Sequence, residues 1–288
     1  MKKRILMAMM LSAGLVFSAA GQKDDEIRLI VRGDDIGSFH AANIGCIKAY
    51  TDGVERSTEV MVPCPWFPEA AEMLNEHPGL DVGVHLLVTS EWSEMKWRPI
   101  TGESSISDKN GYFYPMVWPS DNYPPQMTFR ESGYRLWDVE RELRAQIEVA
   151  LKNIKNVTHV STHMGFSSAD PAIEKLVERL AKEYNLDIRP EEYGVQRMPM
   201  VKSKSDSYED RAEAFAQSIM NLKSGTYLTV EHPAMDYKEM ETIGHKGNSN
   251  VGKQRQGVTY VFTSDVVKEA IKKKGVKLIS YGDLVKEH

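Results

Sequence analysis

Cysteine is almost absent from this chain. Cys46 and Cys64 are the only two in 288 residues, and they do not form a C-x-x-C pair. That pattern excludes a zinc–thiolate centre. A disulfide needs a specific approach of the two backbones, which spacing does not reveal, and both are expected to be buried free thiols. Positive charge is also scarce. Lys and Arg number 36 against 41 Asp and Glu, for a formal net charge of -5. A duplex-binding surface needs clustered cations, so nucleic acid is not an expected partner. The run Lys272-Lys273-Lys274 reads as the solvated end of a helix. The apolar stretch at 5–20 is shorter than the roughly 20 residues of a membrane-spanning helix. There is no internal repeat and no low-complexity tract.

What is present is ordinary globular composition, 41% hydrophobic and 27% charged. The length suits one large α/β domain. Lys2-Lys3-Arg4, the apolar stretch and Ser18-Ala19-Ala20 before Gly21 form a secretory signal with its cleavage site. The expected organisation is a signal peptide at 1–20 and a single domain at 21–288. The mature protein is then periplasmic or secreted, with no stable membrane insertion. No cysteine stands at the cleavage site, which disfavours a lipid anchor. Nothing in the sequence sets the oligomeric state, and a homodimer is compatible with it.

Hydrophobic periodicity predicts strands at 27–32, 57–63, 80–87, 158–164, 188–189, 225–232 and 276–280. It predicts helices at 41–52, 67–75, 136–153, 172–184, 209–222 and 264–274. Asp170-Pro171 supplies an N-cap and a first-turn proline for the fourth helix. Alternation of strand and helix implies a parallel sheet with right-handed crossovers. The expected fold is a single-domain, TIM-barrel-like (β/α) barrel, distorted by a long aromatic insertion at 89–133. Functional residues of such a fold gather at the C-terminal strand ends.

Chemistry is concentrated at those ends. The first strand runs into Asp34-Asp35. Adjacent carboxylates repel, and a divalent cation gives a reason for the pair: one carboxylate serves as ligand and the other stays free as a base. His85 ends the third strand, and neutral imidazole is the commonest nitrogen donor to metals. His159, Ser161 and His163 alternate along a later strand and so share one face. Together these residues read as a one-metal hydrolase site of the Asp-His-His type. Glu231-His232-Pro233 ends a further strand and offers a general acid across from the base. Trp66, Trp92 and Trp97 are candidates for stacking on sugar rings.

These motifs make the chain resemble the YdjC-like carbohydrate deacetylases, which include chitooligosaccharide deacetylase and hopanoid-associated relatives. The matching pieces are Gly33-Asp34-Asp35-Ile36-Gly37, Gly53-Val54 with Ser57-Thr58, Gly83-Val84-His85-Leu86, Thr158-His159 with Thr162-His163, Glu231-His232-Pro233, and Ile279-Ser280-Tyr281-Gly282-Asp283-Leu284. The resemblance spans nearly the whole mature chain. It implies a TIM-barrel-like fold and one divalent ion, Mg2+ or Zn2+, on Asp35, His85 and His163. It further implies Asp34 as catalytic base and His232 as acid or oxyanion partner. The implied substrate is an acetylated amino-sugar oligosaccharide, which loses its N-acetyl group. Arg189 resembles an arginine the family carries after the metal strand, and His159 is a further substrate-side candidate. Departures are visible. Ser161 stands where many members have Asp, Gly165 where they have a last His, and Arg32-Gly33 replaces Asn-Ala. Loss of the Asp removes a supporting carboxylate. Two other readings remain: a catalytically impaired glycan-binding protein, and a metal hydrolase of another amide or ester. A phosphoester substrate is disfavoured by the absence of a basic cluster near the motifs.

Overall fold

Seven strands alternate with helices in the computed structural model, which describes residues 25–286. The expected signal peptide at 1–20 lies outside the described residues. The strands are β1 Ile27–Ile36, β2 Ser57–Val60, β3 Asp81–Leu86, β4 Val157–Thr162, β5 Gln196–Arg197, β6 Gly225–Glu231 and β7 Lys277–Ile279. The helices are α1 His40–Thr51, α2 Phe67–Glu76, α3 Leu136–Asn153, α4 Pro171–Glu183, α5 Tyr208–Met220, α6 Val251–Thr263, α7 Asp265–Lys274 and α8 Tyr281–Lys286. Every strand pairing is parallel, in the order β4-β3-β2-β1-β6-β5, and β7 pairs with Arg28–Ile30 of β1. The sheet curls as a half-barrel. No pairing joins β4 to β5 among the described residues, so the expected barrel is present in an open, distorted form. Parallel strands carry all their C-terminal ends to one rim.

β1 is buried along nearly its whole length. This fits a central strand of a parallel sheet, flanked by β2 on one side and by β6 and β7 on the other. One apolar core lies under α1 to α4, and a second lies under α5, α6 and α7. Helix ends follow local chemistry. Asp170 caps α4 by accepting from the Ala172 N–H at 2.7 Å, and α7 stops at Gly275 in the left-handed region.

Three expectations change. Residues 188–189 form no strand, and the short edge strand falls at Gln196–Arg197 instead. Helices α6 and α8 are additional. α6 contains Gly252 and Gly257, each costing about 1 kcal/mol of helix propensity. It forms because Val251, Arg255, Val258, Val261 and Phe262 are buried along it. The segment between β3 and α3 has one short 3-10 turn, Pro125–Met127, and buries Trp92, Trp97, Phe113 and Phe129. Cys46 and Cys64 are buried free thiols, as expected.

Candidate active site

The first strand does not stop at Arg32. It continues to Ile36 through a bulge at Asp35, where the register with β2 shifts and φ is 74°. Neighbouring side chains of an unbroken strand face opposite sides. The bulge turns both carboxylates toward one site. His85 Nε2 lies 3.8 Å from Asp34 Oδ2 and 3.7 Å from Asp35 Oδ1. A non-glycine residue with positive φ costs roughly 1–3 kcal/mol. Part of this is offset by the Ser38 hydroxyl, which donates to the Asp35 carbonyl at 2.6 Å.

Three strand ends converge here. Asp35 comes from β1, His85 from β3, and His163 from the residue after β4. Their candidate ligand atoms lie within 4.8 Å of one another, and all three residues are buried. His163 Nδ1 is 3.4 Å from Asp35 Oδ1. The far nitrogen of each imidazole is occupied: His85 Nδ1 meets Ser161 Oγ at 2.7 Å, and His163 Nε2 meets Glu91 Oε2 at 3.1 Å. Such outer partners fix which nitrogen faces inward.

Asp35 Oδ2 accepts from Arg255 Nη2 at 2.6 Å, while Oδ1 is buried with no hydrogen-bond partner. An unpaired buried carboxylate oxygen is costly, and a cation between it and the two imidazoles would remove the cost. An ion bound at about 2.1 Å holds its donors about 3–3.5 Å apart. Distances of 3.4 and 3.7 Å from Asp35 Oδ1 to the imidazole nitrogens are close to that. The residues present fit a divalent ion.

Electrostatics act differently on the three candidate ligands: Asp35 and His85 are held in the ligating form, whereas His163 must release a proton to ligate. Burial would raise the Asp35 carboxyl, but the Arg255 guanidinium and the imidazoles of His232 and His163 hold it well below the usual carboxylate range. Burial pushes His85 down to about 4 against the pull of the Asp34 carboxylate. Burial also opposes protonation of His163, yet Glu91 and Asp35 raise it to about 10.

Asp34 is held by Arg32, whose Nε and Nη2 donate to the two carboxylate oxygens at 2.7 and 2.8 Å. Arg32 Nη1 donates to the Tyr281 hydroxyl at 2.8 Å. A cavity of about 830 Å³ opens over this floor. His232, half-buried, lines it together with Trp92, Arg189 and His245.

Three candidates stand elsewhere. Trp66 lies outside the cavity lining and packs its ring 5.1 Å from His40. Trp97 is buried, and its Nε1 donates to the Thr89 carbonyl at 2.7 Å. His159 lies beneath the site, stacked on Tyr281 at 3.9 Å and hydrogen-bonded to Glu59 at 2.6 Å. Trp66, Trp97 and His159 are therefore not brought to the cavity wall.

The local sequence shows no basic cluster, but the cavity does. Arg32, Arg189, Arg197 and Arg255 all line it, arriving from separate parts of the chain. Asp34 and Asp35 neutralise two of them, and Glu178 pairs with Arg189 at 3.1 Å. Absence of basic motifs in sequence is thus no argument about this cavity.

Sequence reasoning missed Glu59, Glu91, Arg255 and His245. Glu59 had a signal, a charge inside the β-like run Ser57-Thr58-Glu59-Val60. Glu91 lies in the aromatic segment and Arg255 on an unread helix, so neither had one.

Residues 28–273 match the family described as YdjC-like protein. A carbohydrate deacetylase of Vibrio vulnificus is 28% identical over 273 residues, covering 90% of this chain and 97% of that protein. Carbohydrate deacetylase 1 of Listeria innocua is 29% identical over 268 residues, covering 90% and 100%. A crystal structure of an Enterococcus faecalis protein, provisionally described as a cellobiose-phosphate cleavage protein, superposes with a TM-score of 0.68 at 24% identity. It covers 90% of this chain and 99% of that one. Matching most of its length, the chain belongs to the YdjC-like protein family.

Proposed function

We propose that this protein is a metal-dependent carbohydrate deacetylase that hydrolyses N-acetyl groups on amino sugars of an oligosaccharide. The observation that carries the reading is the partnerless Asp35 Oδ1 facing His85 and His163, with Asp34 beside it at the floor of the cavity. The carbohydrate deacetylases of Vibrio and Listeria support the substrate class.

Asp35, His85 and His163 would hold the ion. Two imidazoles and a carboxylate suit zinc or another first-row ion better than magnesium, which prefers oxygen donors. Bound there, it would supply Lewis acidity toward the acetyl carbonyl and toward water. Asp34 takes the proton of the attacking water. Arg32 clamps that carboxylate through two hydrogen bonds, and a carboxylate has about four lone-pair sites, so acceptor capacity remains. His232 delivers a proton to the departing amine. Trp92 is buried at the cavity wall, its ring 5.6 Å from that of His245 and under the Arg255 guanidinium, so it shapes the wall on which a sugar would rest. The test is acetate release from a panel of acetylated oligosaccharides with and without chelator. No release from any of them, or release that survives complete metal removal, would overturn the reading.

The acid role makes a separate prediction. His232→Ala is expected to lower turnover by about 10²–10⁴-fold with metal content unchanged. The loss should be smaller on an activated aryl acetate, whose leaving group needs little protonation. Equal losses on both substrates would instead assign His232 to the oxyanion.

Export belongs to the same proposal, supported by the charged start, apolar stretch and small-residue site at 1–20. N-terminal sequencing of periplasmic material should begin near Gly21. An intact Met1 in a cytosolic fraction would refute it.

A further inference from the structure

Ser161 stands between His85 and a buried carboxylate on a neighbouring strand. In the sheet, Asp34 of β1 aligns with Glu59 of β2, Glu59 with Gly83 of β3, and Gly83 with His159 of β4. These four residues form one cross-strand row. Gly83 leaves a gap in it, and a Cβ there would collide with both the Glu59 carboxylate and the His159 ring. Through this gap His159 Nε2 and Glu59 Oε1 meet at 2.6 Å. The other oxygen, Oε2, accepts from the Ser161 hydroxyl. Ser161 Oγ in turn lies 2.7 Å from His85 Nδ1. Glu59 and His159 are fully buried.

Direction decides what this chain of contacts does. A serine hydroxyl both donates and accepts, so by itself it would tolerate either tautomer of His85. An ionised carboxylate only accepts. Glu59 also faces Arg32 Nε at 3.7 Å, which favours the charged form. The Ser161 proton therefore points to Glu59, and Ser161 Oγ can only accept from His85. Nδ1 must then carry the imidazole proton, and the Nε2 lone pair faces Asp34 and Asp35.

We infer that Glu59 is a positioning residue that acts on His85 through the Ser161 hydroxyl. The inference rests on the reading of His85 as a metal ligand, but its first readout does not.

The experiment uses the full protein, with the ring nitrogens of His85 observed by ¹⁵N NMR in the metal-free state. The same samples are then titrated with Zn2+ and with Co2+. The wild type should show the Nδ1–H tautomer. Ser161→Ala keeps the Glu59–His159 pair, and Glu59→Gln removes the charge with little change of shape. Both variants should lose the tautomer preference and bind metal about 10–100-fold more weakly. An unchanged tautomer and affinity in Ser161→Ala overturns the relay. Loss in Ser161→Ala alone, with Glu59→Gln unaffected, overturns the role of Glu59. If Glu59→Gln does not fold, the tautomer in Ser161→Ala decides. A wild type that binds neither metal defeats the metal reading, while the tautomer comparison still tests the relay. Deacetylation is not the readout, so a failure of the proposed activity is distinguishable from a failure of this inference.

Discussion

Asp34→Asn is expected to reduce acetate release by about 10²–10⁴-fold, the range for loss of a general base, while the protein keeps its ion. The argument starts from the division of labour between adjacent carboxylates. Asp35 is buried, is held by Arg255, and faces both imidazoles. Asp34 faces only one of them, at 3.8 Å, and its carboxylate is fixed from behind by Arg32. An amide is nearly isosteric, but it cannot take a proton from water at neutral pH. Its NH2 group would also face the Arg32 guanidinium, a donor against a donor, so a modest loss of stability is expected as well. Metal analysis and turnover on the same preparation check the prediction. Activity within a few-fold of wild type would show that another group is the base.

His85→Ala and His163→Ala are each expected to lose the ion and, with it, activity. A catalytic ion held by three protein ligands has none to spare. The two variants differ in their effect on stability. Removing His163 leaves Glu91 buried without its partner at 3.1 Å, and breaking such a buried pair costs about 3–5 kcal/mol. Removing His85 exposes only the neutral Ser161 hydroxyl, which can still donate to Glu59. His85→Ala is therefore the cleaner test. Metal content should be measured together with a thermal melt. A variant that melts like the wild type and still binds one ion per chain would sink the ligand assignment.

Much of this site was legible one residue at a time. Strand periodicity placed Asp34-Asp35, His85 and His163 near the ends of parallel-type strands, and a parallel sheet must bring those ends to one rim. The helix at 136–153 and the Asp170 cap were readable for the same reason, since capping and amphipathic periodicity are local. The tryptophans were not separable this way. Trp66, Trp92 and Trp97 are chemically alike in sequence, and only Trp92 lines the cavity.

The sequence by itself determined the parallel α/β class and the residue types that meet at the candidate metal site, because these follow from short-range spacing, and its motifs carried the resemblance to the family. Only the tertiary structure decided how those residues are aimed. The bulge at Asp35 brings two consecutive carboxylates to one side, against the alternation of a strand. Arg255 arrives from a helix with poor intrinsic propensity that forms because one face is buried. Glu59 reaches His85 through Ser161 across strands 102 residues apart in sequence. Contacts of this kind depend on sheet register, which is set by the packing of the whole domain rather than by any local stretch of chain.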